Sequence, residues 1–463
     1  MIKKYSELKE IRRNVAGIDL ACRAANFVCG PRNDNGECEI VSFGSTTPEI
    51  YRMLKWLQER NVISVAMEST SVYWIPMTDI FESNGIEVVL VDARSVRMLP
   101  GRKSDMKDCQ WLQQLHSYGL LQGAFRPSED ITAIRSILRE KENLTAMRVQ
   151  AVQQMHKSLD QMNIRPHHAV SEIDGKTGTA IIEAILQGER DPFKLAALRD
   201  IRCKKSLKEM ADDLTGTWRT EHLFNLENAF KLMRFLDEQI AEYDKKVSEM
   251  YKALAEKNEK SNEQSSSFDI NTKNSEEKSL VVSNKRIKAK DKPYGDVIKN
   301  VTTMLGVDLT LIPGVGARTV AILISELGLD FSRFKDVKNF ISFIGLAPAL
   351  NKSAGKNIPM KKKSKCSSRV GNVLRMCAAS QIRAQTEFGA FYRSVAQRTD
   401  KKTAIKATAR RIAKKIYYTI KYGIEYVECS AEEFEKRMRE KVLRTVKKLI
   451  NKHNINKEEL IFI

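Results

Sequence analysis

The chain has 463 residues, more than the roughly 250–300 at which a single hydrophobic core stops growing, so two or three domains are expected. Lys and Arg total 78 against 58 Asp and Glu; the resulting +20 favours a polyanionic partner, nucleic acid first, because neutralising phosphates releases condensed counterions. With no apolar run of about 18 residues, no signal-peptide pattern and no lipidation motif, the sequence predicts a soluble, cytoplasmic protein with no membrane partner.

From Val15 to Leu121, short apolar runs alternate with helical patterns. "NVAGIDLA", "AANFVCGP" and "CEIVSFGS" read as three successive strands, and "GPRNDNGE" supplies hairpin turn residues. "TPEIYRMLKWLQERN" opens with a Thr-Pro cap and continues at helical spacing. "VISVAMEST" returns to strand, "VYWIPMTDIFESNG" to helix and "IEVVLVDA" to strand; after the basic loop "SVRMLPGRK", the helix "KSDMKDCQWLQQL" begins. The order predicts an α/β domain with a mixed sheet over residues 13–126.

Residues 127–258 carry two long amphipathic patterns almost free of Gly and Pro, expected to form a helical hairpin or coiled coil. Residues 259–292 are polar and Ser/Asn/Lys-rich, which predicts a flexible linker. A mainly helical domain is expected over 293–428, followed by a helical tail, 429–463. Within the former, "LTLIPGVGARTVAILISELG" fits a helix-hairpin-helix: Gly314 and Gly316 let the backbone turn and approach a phosphate, and the following helix, with Arg318 in its first turn, offers free N–H groups. The same residues also suit a plain turn between packed helices. Two runs, Asn351 to Arg375 and Lys401 to Lys421, each hold eight Lys/Arg and no acid. The eight cysteines are scattered singly, without zinc-ligand or disulfide spacing.

Asp105 and Asp108 stand three residues apart at a helix start, where like charges repel. A divalent cation between them relieves the repulsion, and hard cations such as Mg²⁺ take oxygen ligands. Asp19 within the first strand and Glu68 at the end of another sit among apolar neighbours that make a carboxylate costly. Four acids on these elements converge on one sheet edge, a set able to hold two Mg²⁺ about 4 Å apart for phosphodiester chemistry. Singly, each has a plainer reading, Asp105 as a helix cap for example.

Taken together, "GIDLA", "MESTSVYW", "KSDMKDCQWLQQL", "IPGVGARTVAILISELG", "FISFIGLAPALNKSAGK" and "SSRVGNVLR" resemble the insertion-sequence transposases with a RuvC-like Asp-Glu-Asp-Asp domain in front and a serine-bearing transposase domain behind. The resemblance spans nearly the whole chain. It implies a ribonuclease-H-like fold for the first domain, Mg²⁺ dependence through Asp19, Glu68, Asp105 and Asp108, and recombination of double-stranded DNA at element ends and target. It also implies a prokaryotic, nucleoid-associated protein and, in one branch of the family, guidance by a structured bridge RNA. A serine of the second domain attacks the scissile phosphate in this family and forms a phosphoserine link. Ser353 in "APALNKSAGK" is the nearest match, with Ala354 standing between it and Gly355; Ser367 or Ser368 is the alternative. Such a serine needs a metal or base beside it, which the acids supply if the two domains meet. Lys352, Lys356, Arg369 and Arg375, with Asn372 of the same signature, are then expected to contact nucleic acid. Holding two duplexes together calls for a dimer or tetramer.

Two other readings stay open from sequence: a Mg²⁺-dependent, junction-resolvase-like nuclease that uses water, and a non-catalytic nucleic-acid-binding protein. An actin-like ATPase is the weakest, lacking a second glycine-rich phosphate loop and leaving the basic C-terminal half unexplained.

Overall fold

The computed structural model describes residues 10–20, 25–33, 35–69, 71–92, 105–166, 170, 172–201, 203, 205–266, 294–348, 352–353, 356–357, 368–423 and 430–453. The basic loop before Asp105, most of the expected linker, Ser367 and the last ten residues lie outside these. The chain divides into two units, residues 1–126 and 127–463.

In the first unit, β1 (Val15–Asp19), β2 (Asn26–Arg32) and β3 (Cys38–Phe43) form an antiparallel meander. Helix α1 (Thr47–Glu59) then leads to β4 (Ser64–Glu68), and α2 (Trp74–Ser83) to β5 (Glu87–Val91), both strands parallel to β1. The five-stranded sheet has the order β3-β2-β1-β4-β5. This mixed sheet with its helices fits the ribonuclease-H-like fold.

Alternate side chains of a strand face opposite ways, and the two faces of this sheet are covered differently. Ala16 and Ile18 of β1 and Val65 and Met67 of β4 join Met53, Leu57, Met77 and Phe81 in one core. The opposite face takes α3 (Asp105–Ser117), which lies so close to β1 that a Cβ on Gly17 would sit 2.3 Å from both the Cys109 carbonyl oxygen and the Gln113 backbone nitrogen.

The second unit is built on two long helices, α4 (Glu129–Gln161) and α8 (Thr220–Ser266). Contacts between Asp130 and Lys257, Lys141 and Asp244, and Arg148 and Asp237 set them antiparallel. Between them the chain forms α5 (Lys176–Leu186), α6 (Pro192–Ala197) and α7 (Leu207–Asp213), which enclose an outer core with Met155, Leu159, Leu226 and Met233. Helix α8 continues through Glu259, the expected start of the linker, as far as Ser266.

At the other end a larger core gathers α9 (Gly295–Leu305), α10 (Ala317–Leu327), α11 (Val337–Phe343), α12 (Arg369–Ser380), α13 (Glu387–Ala396) and α14 (Lys401–Tyr422). It includes Ile134 and Leu138 of α4 and the fully buried Tyr251 of α8, whose hydroxyl donates to the Ala321 carbonyl at 2.7 Å. A two-stranded ribbon, β6 (Lys352–Ser353) and β7 (Lys356–Asn357), and the C-terminal α15 (Ala431–His453) complete the fold.

Candidate active site

Parallel pairing of Ile18 with Met67 leaves Asp19 and Glu68 one step further along, at the same end of neighbouring strands. Both also face α3. Gly17 touches that helix, so Asp19, two positions on, shares its side of β1. On β4 the Ser64 hydroxyl shares a 2.9 Å hydrogen bond with Nε2 of His116 in α3, and Glu68, four positions on, shares that side.

Helix α3 begins at Asp105, so the Asp105/Asp108 pair occupies its first turn. The side chain of Asp105 lies outside the described residues. Asp108 is felt one residue along: burial first, then the charge of Asp19 and, more weakly, that of Asp108, push the Cys109 thiol up to about 12. Cys109 of α3 thus lies within electrostatic reach of Asp19 on β1. The thiol stays neutral and donates to the Met106 carbonyl at 3.2 Å.

Asp19, Glu68 and Asp108 are all half-buried. Half-buried oxygen donors suit a hard divalent cation better than a soft one, and the Cys109 thiol beside them is protonated. Among the described residues, no three His, Cys, Asp or Glu side chains are already set to hold a metal ion.

Sequence reading passed over Gly17, Cys109 and His116, although all three position α3. Gly17 did carry a signal: a glycine inside an apolar strand often marks close approach of another backbone.

The model DEDD_Tnp_IS110, described as a transposase, matches residues 16–164, which include the sheet and α3. The model of the transposase IS116/IS110/IS902 family matches residues 308–393. The chain belongs to the IS110 family of transposases. It is therefore a DNA transposase or recombinase of an insertion sequence, an enzyme that cuts and joins DNA. The DEDD-type domain suggests dependence on a divalent metal, and the family implies DNA binding. No curated protein matches the chain. No helix among the described residues is long and apolar enough to cross a membrane.

The second match contains the remaining expected site residues of the transposase. Gly314 has φ +88°, in the left-handed region, and a Cβ there would meet the Cys377 carbonyl oxygen and Gln381 Nε2, each at 2.9 Å. Its lack of a side chain thus serves both the turn and the approach of α12. Gly316 precedes α10 as its N-cap. Arg318 lies 3.8 Å from Glu142, which also pairs with Arg369; Arg369 approaches Glu326 at 3.7 Å. Arg139 meets both oxygens of Glu326, at 3.0 and 2.8 Å. Arg318 and Arg369 therefore belong to an ion-pair network within the unit, and any phosphate would add to partners they already have. Arg375 donates to Asn372 on the same helix.

Ser353 pairs with Lys356 across the β6–β7 ribbon. The side chains of Lys352, Ser353 and Lys356 lie outside the described residues. Ser368 is the N-cap of α12, where its hydroxyl oxygen accepts from the Gly371 N–H at 3.3 Å.

Proposed function

We propose that Asp19, Glu68, Asp105 and Asp108 hold Mg²⁺ for strand cleavage and that Ser353 is the nucleophile joined to DNA. The observation that carries the metal reading is the seam itself: Asp19 and Glu68 end adjacent parallel strands on the face against which the Asp108-bearing helix is packed. Bound between such carboxylates, two Mg²⁺ ions would supply charge neutralisation at the scissile phosphate. The carboxylates themselves fix the position of that charge, and their half-burial limits competition from water. Cys109, kept as a neutral thiol, adds no further negative charge to the seam.

In the serine step the Ser353 oxygen forms a bond to phosphorus while the bond to the leaving deoxyribose oxygen breaks. The serine hydroxyl proton passes to solvent water, and the leaving deoxyribose oxygen takes a proton from water in return. The phosphoserine ester conserves the phosphodiester for rejoining. Ser353 is preferred to Ser368 because the latter hydroxyl already caps a helix. The element from α9 to α10 is read as a helix-hairpin-helix that presents backbone N–H groups to phosphate, the paired helices α4 and α8 as a coiled-coil arm of a dimer or tetramer, and a structured RNA as the guide. These last three readings rest on the sequence pattern and the family resemblance.

The test is a trapped adduct. Incubated with element ends and Mg²⁺, the protein is expected to yield DNA covalently attached to it. Asp19→Asn or Glu68→Gln should reduce cleavage by at least about a hundredfold, and Ser353→Ala should abolish the adduct. Nicked DNA without an adduct, undiminished in Ser353→Ala, would overturn the serine assignment and leave the acids standing.

A further inference from the structure

We propose that the exposed aromatic face of α14 is a stacking platform for unpaired bases of single-stranded DNA. The second basic run of the sequence falls on this helix, and neither the acids nor the serine uses it. Lys414, Tyr418 and Tyr422 are spaced four residues apart and share one helix face. Tyr418 is 40% exposed and Tyr422 56%. Their rings stack on one another, 6.0 Å between centres and 26° between planes.

The pair rests on a fixed bed. Tyr417, 1% exposed, meets the edges of both rings at 5.5 and 6.2 Å. Tyr417 is itself held by Phe340, 5.6 Å away, and donates its hydroxyl proton to the Phe334 carbonyl at 3.3 Å. Lys421 donates to that same carbonyl and lies 5.3 and 6.0 Å from the ring centres of Tyr417 and Tyr422. Rings already ordered lose little entropy when a ligand stacks on them.

The chemistry selects the ligand. Flat rings among lysines match a nucleobase on a phosphate backbone. In a duplex the base faces are covered by their neighbours and only edges and phosphates are open, so a ring-face platform needs an unpaired base. DNA is the nucleic acid on which this family acts, and cutting and rejoining a duplex exposes unpaired strands. The proposal is independent of the carboxylates and of Ser353.

The test compares, with the full-length chain, a labelled oligothymidine of about 20 nucleotides and a duplex. Tyr418→Ala/Tyr422→Ala is expected to weaken single-strand binding about tenfold and duplex binding less than about twofold, while Tyr418→Phe/Tyr422→Phe retains both. Binding is measured without Mg²⁺, so the fate of the carboxylate reading does not enter the result. In the unaltered chain, 5-iododeoxyuridine in the strand should crosslink to Tyr418 or Tyr422, a readout that needs no variant to fold. Equal losses on single strand and duplex, no crosslink at either tyrosine, or a tyrosine-dependent preference for oligouridine RNA over DNA would each overturn the proposal.

Discussion

His116 shows how one side chain ties the candidate site to the fold. Its imidazole is 2% exposed and shares its hydrogen bond with Ser64, so α3 is pinned to β4 about two turns beyond the Asp105/Asp108 pair. Burial, helped by the Arg12 cation and opposed by Glu87, pushes its pKa down from 6.5 to about 4. The folded state thus keeps the ring neutral where the unfolded chain takes a proton. Its contribution is complete above about pH 6.5 and is lost progressively as pH falls toward 4, by about 3 kcal/mol. Urea unfolding of the first unit's signal at pH 7, 6 and 5 should show this decline, and His116→Gln should flatten it. In the sequence Asp19 and Glu68 stand out as charges among apolar neighbours, and Asp105 and Asp108 as like charges sharing a helix start. His116 was not, since a single histidine on a helix gives no sign of the serine, 52 positions earlier, that it will meet.

At the level of the elements, the decisive contact is between β1 and α3. The Cβ of Gly17→Ala would fall 2.3 Å from two backbone atoms, which cannot swing aside as a flexible side chain would. The helix must shift, and the Asp105/Asp108 turn moves with it. Overpacking of this kind costs about 1–3 kcal/mol, and a displacement near 1 Å costs about a hundredfold in rate. Gly17→Ala is expected to lower cleavage and to raise the Mg²⁺ concentration needed for half-maximal activity, while duplex binding is retained. A loss of stability with an unaltered Mg²⁺ requirement would make the glycine merely structural. The order of the strands and helices was readable from periodicity, but this backbone-to-backbone approach was not, because it depends on which helix returns to which face. The extent of α8 was hidden for a different reason. Residues 259–266, "EKSNEQSS", offer no apolar stripe, so the pattern fades although Glu, Lys and Gln are good helix formers.

Over the whole molecule, charge is the property that acts at a distance. The net +20 coexists with ion pairs that engage Arg318, Arg369, Arg139 and Arg148 internally, so part of the surplus is committed to the fold. The remaining lysines and arginines set the salt response. If about six phosphates are neutralised, duplex affinity should fall roughly a thousandfold between 50 and 200 mM salt. Fluorescence anisotropy across that range measures the slope, and a flat response would exclude an electrostatic hold on the DNA. The helical bulk of the C-terminal half was legible from its sequence, whereas the internal spending of its arginines was not: a basic run does not reveal which of its cations already face Glu142 or Glu326.

The antiparallel pairing of α4 and α8 has an architectural consequence. Each helix contributes to the outer core at one end and to the larger core at the other, with Lys141–Asp244 and Arg148–Asp237 along the stretch between. The pair is a shaft with a lobe at each end. Removing or adding matched turns in both helices would change the reach of the outer lobe by about 5.4 Å per turn without altering the interior of either. The distance between the two cores of this unit can therefore drift while the packing within each stays fixed.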